Sequence, residues 1–278
     1  MFWNLYIFLI IFILDYIDGV VGLKVKVLNL SDQRIPYQKA ENWQKALLSN
    51  QIDLQAQISN EIVGHMLLLQ HDNVYTLGTA TDENSFLKSS SIETTSTTTS
   101  ALDYDIFEIE RGGQATYHGP GQIVMYPIID LNKFQKDINI YLRGLEDITI
   151  QTLFDYNIPG NRRDGLTGVW VNNQKLCAIG IKLRRWVTMH GIALNVNPDM
   201  RYFDNIIPCG ITDPTLSVGC MTTCRPDLHN KIEVHEVADK LRDNFAKHYN
   251  LQVEELKGSD ALEYLHNVQI KFGDRNNI

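Results

Sequence analysis

Cysteine is scarce in this chain, with four residues among 278. That is too sparse for a disulfide scaffold, and reduced thiols in an intracellular compartment are the better interpretation. Basic residues are in the minority, because 25 Lys and Arg stand against 33 Asp and Glu and give a net charge of −8. General nucleic-acid binding depends on neutralising phosphates with Lys and Arg, so this composition argues against it.

The apolar run at the N-terminus is shorter than a membrane-spanning segment. The run MFWNLYIFLIIFIL is 14 residues long, whereas a membrane span needs about 20. A signal peptide carries Lys or Arg before its apolar stretch, and this run has neither in front of it. The segment does not resemble an Arg-rich mitochondrial transit peptide either. Residues 1–22 are therefore a targeting segment, a membrane-associated tail or a start-site artefact, and the sequence does not choose.

The sequence also shows no internal repeat and no linker between two folded domains. Hydrophobic periodicity predicts helices at 31–59, from Asp137 as N-cap to Pro159-Gly160, and finally at 231–250. Strands are expected at 23–30, 65–78, 105–110, 169–171, 175–183 (a hairpin with the preceding strand, through Asn172-Asn173) and 186–196. These elements predict an α+β domain at 23–250 with a mixed central sheet flanked by helices, a disordered Ser/Thr-rich insertion at 88–101 and a C-terminal tail at 251–278.

The stretch RGGQATYHGPGQ, residues 111–122, combines four glycines with His118. Its backbone amides can approach a ligand closely, or the stretch can simply be a tight strand connection. A phosphate loop is excluded because no Lys-Ser/Thr follows the glycines, and the dinucleotide spacing G-x-G-x-x-G is absent.

Cys209 lies between Pro208 and Gly210. These two residues either expose the thiol in a loop or form a turn for structural reasons alone. From these residues alone it can be a nucleophile, a metal ligand or a small apolar side chain. Lys175 begins a strand after a turn, where it either faces solvent or lies desolvated beside a thiol and takes its proton. Spacing does not decide this.

A zinc site is the remaining metal hypothesis, from the pattern C-x3-C-x4-H-x5-H formed by Cys220, Cys224, His229 and His235. Only four residues separate the two ligand pairs, whereas structural zinc fingers place about a dozen there so that the chain can wrap the ion. The sequence therefore predicts no metal.

Five motifs together carry a family resemblance: RGGQATYHGPGQ, GLTGVWV (165–171), KLCAIGIKL (175–183), TMHGIALNVN (188–197) and FDNIIPCGI (203–211). Their order and spacing resemble the lipoyl(octanoyl) transferase family, from about residue 28 to 249. The resemblance implies the fold of the biotin and lipoate ligase catalytic domain and a cofactor-free acyl transfer. It further implies transfer of an octanoyl or lipoyl group from acyl carrier protein, through a cysteine thioester, to a lysine of a carrier domain. The carriers are the lipoyl domains of 2-oxoacid dehydrogenase complexes and the glycine cleavage H protein.

The same resemblance implies site residues. The cysteine of the family's PCG motif matches Cys209, as nucleophile, and its catalytic lysine matches Lys175, as the group that accepts protons. Cys177 is expected to be packed rather than reactive. The substrate cavity is expected from three stretches, which are Arg111, Gly112, Gly113, Gln114, Ala115, Thr116, Tyr117 and His118; Ala178, Ile179 and Gly180; and His190, Gly191, Ile192 and Ala193.

Two basic islands, 161–163 and 182–185, are either solvated faces or docking sites for acidic carrier proteins. The family also suggests a monomer, and a mitochondrial location without support from the N-terminus. The rival functions are an ATP-dependent lipoate or biotin ligase, whose loop is more glycine-dense and contains His-Asp, and a non-catalytic carrier-binding module, which would not retain the Cys/Lys pair.

Overall fold

A computed structural model describes residues 22–57, 61–81, 104–207 and 213–273. Three of the expectations above fall outside these ranges: the N-terminal segment except for its last residue, the insertion at 88–101, and Cys209. Within the described ranges, no helix is both long enough and apolar enough to cross a membrane.

A large mixed sheet organises the fold. Among the described residues it has nine strands, which are β1 (Lys24–Ile35), β2 (Ile62–His71), β6 (Gln122–Ile129), β7 (Asn161–Arg163), β8 (Leu166–Val171), β9 (Gln174–Arg184), β10 (Val187–Asn195), β11 (Ser217–Val218) and β12 (Gln252–Lys257). Eight of them lie in the order β12-β1-β2-β6-β10-β9-β8-β7, and β11 pairs with β9. The pairs β1–β2, β1–β12 and β9–β11 are parallel and the others are antiparallel. The predicted mixed sheet is confirmed.

Helices cover both faces of this sheet. They are α1 (Tyr37–Leu54), α2 (Ile138–Asp155), α3 (Met221–Cys224), α4 (Val234–Tyr249) and α5 (Gly258–Phe272). On one face α2 and α4 pack against Met66 and Leu68 of β2, and on the other α1 and α5 pack against Leu67 and Leu69. Because both faces are buried, β2 is a continuous apolar run rather than an alternating one.

A smaller sheet is formed by three strands that lie between β2 and β6 along the chain. They are β3 (Val74–Leu77), β4 (Asp105–Glu108) and β5 (Thr116–His118), in the spatial order β4-β3-β5, and β5 is part of the glycine-rich stretch. The predicted strand at 65–78 is therefore wrong as one element, since the bend at Asp72-Asn73 divides it into β2 and β3. Splitting the run lets β3 pair with β5 and bring His118 opposite Val74.

The first predicted helix begins later than expected. β1 continues to Ile35, which pairs with His71, and the helix starts only after Pro36. Proline fixes the backbone angle that a helix needs at its start and has no N–H to leave unpaired there. The apolar residues that recur at helical spacing along this helix, Tyr37, Ala40, Trp43, Leu47 and Leu48, are all buried.

The predicted cap of α2 is confirmed, because the Asp137 carboxylate accepts hydrogen bonds from the amides of Asn139 and Ile140. The helix ends at Asp155, earlier than the Pro159-Gly160 stop predicted for it. The hairpin of β8 and β9 is also confirmed; Asn172 in its turn has a φ of 52°, which asparagine tolerates better than most residues.

The expectation of a C-terminal tail at 251–278 is wrong for residues 252–272. β12 pairs with β1 along its whole length, from Gln252 opposite Lys24 to Lys257 opposite Asn29. α5 then buries Ala261, Leu265, Val268 and Phe272 against α1. Those four positions recur every three or four residues, so the sequence did carry the helical signal.

Candidate active site

A cavity of about 290 Å³ lies between the glycine-rich stretch and the strands β9 and β10. The 111–113 segment crosses β9 at Gly180, where an added Cβ would lie 3.0 Å from Gly112 O and from Arg111 Cδ. The amide of Gly112 donates a hydrogen bond to Ile181 O over 3.1 Å. Glycine at position 180 is therefore what allows the loop to lie directly on the strand.

Lys175 lines this cavity and brings a primary amine to it. It is the second residue of β9 and is 6% exposed, and its Nζ lies 5.6 Å from the centre of the Trp170 ring. A Cβ at Gly168, whose φ is +123°, would approach Lys175 Cε to 2.6 Å. Gly168 thus provides the space that the lysine side chain occupies.

Cys177 follows two residues later and lies in the core. It is fully buried, and its Sγ is 3.5 Å from Ala178 O. Burial raises the pKa of the Cys177 thiol to about 12. A thiol that stays protonated and inaccessible is a poor nucleophile, so Cys177 is packed as predicted.

The segment that contains Cys209 lies outside the described residues, but its neighbours on both sides do not. Ile206, before it, is buried with Tyr117 and Phe203. After it, Val218 of β11 lies opposite Lys175 in the parallel pairing with β9. Phe203, Val218 and Lys175 together line a small recess of about 10 Å³ beside the main cavity.

His118 lines the cavity and is held by hydrogen bonds at both ring nitrogens. Its Nδ1 is 2.7 Å from Gln122 Oε1, and its Nε2 is 3.3 Å from Thr76 Oγ1. Burial, with His71 nearby, lowers the pKa of His118 well below its usual value. The ring is therefore neutral at pH 7.

Arg111 is buried against the same threonine. Its Nη2 donates to Thr76 O over 3.0 Å and to Thr76 Oγ1 over 2.9 Å, and its Nη1 donates to Gly112 O. The guanidinium is thus fixed by the backbone of β3 and of its own loop. Arg111 also lines the cavity, next to Gly180 of β9.

His190 and His71 complete the buried histidines of this region. His190 has a left-handed φ of 61°, and its amide donates to Gln44 Oε1 over 2.9 Å. Burial and the charge of Arg111 lower the pKa of His190 to about 3. Burial lowers that of His71 to about 4; its Nδ1 donates to Ile35 O, and its Nε2 accepts from Tyr126.

The family follows from comparison with known proteins. The model of the lipoyl protein ligase A/B catalytic domain matches residues 36–246. The chain belongs to this family.

Relatives across the family are similar over most of their length. The chloroplastic octanoyltransferase LIP2p2 of Arabidopsis thaliana is 39% identical over 244 residues, 83% of this chain and 81% of that protein. The octanoyltransferase of Nostoc sp. is 42% identical over 204 residues, 73% of this chain and 85% of that protein. That of Flavobacterium psychrophilum is 40% identical over 229 residues, 78% of this chain and 94% of that protein.

Solved structures share the fold at low sequence identity. A bipartite lipoate protein ligase from Thermoplasma acidophilum superposes with a TM-score of 0.64 at 12% identity, covering 91% of this chain and 92% of that one. Lipoate-protein ligase A bound with ATP gives a TM-score of 0.62 at 12% identity, covering 92% and 95%. The expected lipoate ligase-like fold is confirmed.

Most residues expected in the cavity of this lipoyl ligase-family chain do line it: Arg111, Gly113, Gln114, Thr116, His118, Lys175, Ala178, Ile179, Gly180, His190, Gly191, Ile192 and Ala193. Gly112, Ala115 and Tyr117 are not among the described lining residues. Side chains alternate along a strand, so Thr116 and His118 of β5 face the cavity while Tyr117 faces away. Tyr117 stacks on Tyr202 and donates its hydroxyl to Asn73.

Six further residues line the cavity that the sequence did not assign to it: Ala80, Tyr126, Gly165, Leu166, Thr167 and Trp170. Four of them belong to the family motif GLTGVWV, which was the available signal. Ala80 lies in the turn that follows β3, and Tyr126 lies in β6. No local sequence pattern indicates that either residue lines a cavity.

The pattern considered for zinc is dispersed over several elements. Cys220 precedes the short helix α3, Cys224 ends it, and His235 lies in α4. Within the described parts of the chain, no three or more His, Cys, Asp and Glu side chains are grouped so that they could hold a metal ion.

The basic islands are partly neutralised. Arg162 pairs with Glu146 over 2.9 Å and with Asp147 over 2.5 Å, and Lys182 pairs with Glu110. Arg185 is exposed at the two-residue turn between β9 and β10, beside the exposed Trp186. Both turn residues are left-handed, with φ of 52° and 64°.

Proposed function

We propose that this chain is an octanoyltransferase that carries octanoyl from the thioester of acyl carrier protein to a lysine of a lipoyl domain. The observation that carries the proposal is a largely apolar cavity lined by a buried lysine, in a chain about 40% identical, over most of their length, to proteins named octanoyltransferase. Ala178, Ile179, Ile192 and Ala193 give the cavity an aliphatic wall. Such a wall suits a saturated acyl chain.

In the first half-reaction, Cys209 transfers its Sγ–H proton to the neutral amine of Lys175. The thiolate attacks the acyl carbonyl, and the tetrahedral intermediate expels the thiolate of the donor. That leaving thiolate takes the proton back from Lys175. An acyl group moves between two thiols of similar energy, so no nucleotide is consumed.

In the second half-reaction the amine of the carrier lysine attacks the acyl–Cys209 thioester. Lys175 accepts the proton that the amine loses, and returns it to the Cys209 sulfur as the C–S bond breaks. The products are an amide on the carrier and the free enzyme thiol. One lysine thus serves as base and then as acid in both steps.

Two features of the described residues support Cys209 as nucleophile. The first is that the alternative cysteine beside Lys175 is unsuitable, because burial raises the pKa of Cys177 to about 12. The second is that Phe203 and Val218, on either side of the 208–212 segment, meet Lys175 in one recess. The described residues on both sides of Cys209 therefore lie next to Lys175.

The acceptors we propose are the lipoyl domains of 2-oxoacid dehydrogenase complexes and glycine cleavage H protein, with the enzyme acting as a monomer. Mitochondrial location stays a prediction from the family resemblance, since the similar Arabidopsis protein is named chloroplastic and other relatives are bacterial. Imaging of a C-terminal fluorescent fusion in the source cell tests it.

A transfer assay distinguishes the proposed function from its rival. The purified chain is mixed with an apo lipoyl domain and either octanoyl-acyl carrier protein or free octanoate with ATP and Mg²⁺. We expect the lipoyl domain to gain the mass of one octanoyl group with the thioester donor alone. Modification only with free acid and ATP would make the chain a ligase, and modification with neither would make it a binding module.

A further inference from the structure

A continuous row of buried hydrogen bonds runs from Arg111 to the strand of Lys175. Its middle members are Gln122 and Asn195, which are 1% and 3% exposed and lie opposite each other where β6 pairs with β10. Neither side chain reaches the main cavity lining, although both line the recess beside Lys175. Two amides buried this deeply need hydrogen-bond partners within the protein.

The orientation of each amide is fixed by a neighbour that can only accept. Asn195 lies 2.9 Å from Gly219 O, so the atom facing that carbonyl must be Nδ2, and Oδ1 faces Gln122. Gln122 lies 3.1 Å from Tyr117 O, so Nε2 faces that carbonyl and also donates to Asn195 Oδ1 over 2.8 Å. Oε1 of Gln122 is left facing His118.

The tautomer of His118 follows from this orientation. Gln122 Oε1 can only accept, so the proton of the neutral ring must be on Nδ1, 2.7 Å away. Nε2 is then an acceptor, and Thr76 Oγ1 can donate to it over 3.3 Å. Thr76 has its hydrogen available for this, because its oxygen accepts from Arg111 Nη2.

Every bond in the row donates in the same direction. Arg111 donates to Thr76, Thr76 to His118, His118 to Gln122, Gln122 to Asn195, and Asn195 to Gly219 O. Hydrogen bonds aligned in this way polarise and strengthen one another. The row ends at Gly219, whose own amide donates to the backbone oxygen of Lys175 over 3.0 Å.

We propose that Gln122 and Asn195 are positioning residues, which hold His118 as the Nδ1–H tautomer and thereby fix Arg111 in register with the strand that carries Lys175. The inference rests on the proposed acyl transfer for its catalytic consequence only. His118 itself has no free nitrogen for proton transfer, because both are used within the protein. Its role is to keep Arg111, through Thr76, in place relative to the strand of Lys175.

The first test reads the tautomer in the wild-type protein without substrate. Long-range ¹H–¹⁵N correlation spectra of ¹⁵N-histidine-labelled protein should show His118 as a neutral ring protonated at Nδ1. His71 provides an internal reference, since its Nδ1 donates to Ile35 O and does not belong to the row. An Nε2–H signal for His118 would overturn the proposal whether or not the chain transfers octanoyl.

The second test uses Gln122→Leu, which removes the acceptor for His118 at similar volume. We expect the Nε2–H tautomer of His118 to appear in the spectrum. We also expect kcat to fall at least about tenfold while KM for the lipoyl domain changes little, because the variant misplaces the reacting groups and does not weaken binding of the lipoyl domain. Asn195→Asp, which cannot donate to Gly219 O, should give a smaller change in the same direction.

Gln51→Leu is the matched control, because Gln51 is an equally buried glutamine in α1 that contacts Ile62 O instead. It should leave both the His118 spectrum and kcat as in the wild type. If Gln122→Leu behaved like Gln51→Leu in both measurements, Gln122 would be a core residue and the proposal would be wrong. A wild type that transfers nothing but shows the Nδ1–H ring would refute the proposed function alone.

Discussion

At the scale of single residues, the space around Lys175 depends on a glycine. In Gly168→Ala the new Cβ would lie 2.4 Å from Cys177 O and 2.6 Å from Lys175 Cε, at a φ of +123°. We expect the lysine to be displaced and kcat to fall at least about tenfold. Single-turnover octanoyl transfer to a lipoyl domain measures this.

Gly258→Ala is the control for backbone strain alone. Gly258 also has a positive φ, of +51°, but an added Cβ there would meet nothing within 4 Å. This variant should lose about 1 kcal/mol of stability without a change in kcat. Equal losses of kcat in the two variants would mean that the effect at Gly168 is general strain and not displacement of Lys175.

A second property of single residues is the pH dependence caused by buried histidines. Burial lowers the pKa of His65 to about 3, of His71 to about 4 and of His190 to about 3. Between pH 6.5 and these values the unfolded chain binds more protons than the folded one, so the free energy of unfolding falls as the pH falls. The loss should reach about 2 kcal/mol per histidine between pH 6.5 and 5.

Urea unfolding at pH 7.5, 6 and 5 checks this. His65→Leu is the informative variant, because His65 lies away from the cavity, against Tyr264, and its Nδ1 has no partner among the described residues. Its stability should fall less steeply with pH than that of the wild type. A free energy of unfolding that stayed constant from pH 6.5 to 5 would contradict the buried neutral histidines.

At the scale of elements, α5 contributes to the core although it lies beyond the predicted domain. Leu265 is 1% exposed and packs with α1, whereas Ile270 on the same helix is 68% exposed. Leu265→Ala should therefore cost about 2–4 kcal/mol of unfolding free energy, and Ile270→Ala less than about 0.5 kcal/mol. Chemical denaturation compares them; equal small losses would show that 252–272 is a dispensable appendage.

The same elements show how far sequence reasoning reaches. The residues Ala178–Gly180 and Gly191–Ala193 could be predicted because the family resemblance implies them, and the pairing of β9 with β10 places Gly180 opposite Gly191. Thr76 and Tyr126 could not, since they reach the site through pairings between distant segments. A shift of one residue in such a pairing would turn each side chain to the other face.

Gln122 illustrates a further limit. It ends the glycine-rich stretch whose shape the sequence suggested, but its partner Asn195 is 73 residues away. Only the register of β6 with β10 brings the two amides together. Likewise, the periodicity of α5 indicates a helix, but α5 lies beyond the end of the family resemblance at about residue 249 and so outside the predicted domain.

At the scale of the whole molecule, the proposed function requires a chain of net charge −8 to bind acidic carrier proteins. The turn between β9 and β10 presents basic side chains at the end of the strands that form the cavity. Reversing Arg184 and Arg185 to Glu should raise KM for acyl carrier protein about tenfold, leave kcat largely unchanged, and reduce the dependence of kcat/KM on salt.

Reversing two cations elsewhere gives the matched control. Lys231 and Lys240 lie before and within α4, and their replacement by Glu changes the net charge by the same amount. If both double variants raised KM equally, total charge would be responsible and the turn would have no docking role.

The central claim is covalent transfer through Cys209, and intact-protein mass spectrometry after mixing with octanoyl-acyl carrier protein tests it most directly. We predict one octanoyl adduct on the wild type and on Cys177→Ala, released by hydroxylamine as a thioester is, and none on Cys209→Ala. An adduct that persists in Cys209→Ala and disappears in Cys177→Ala would contradict the account, and so would direct transfer to the lipoyl domain without any acyl-enzyme.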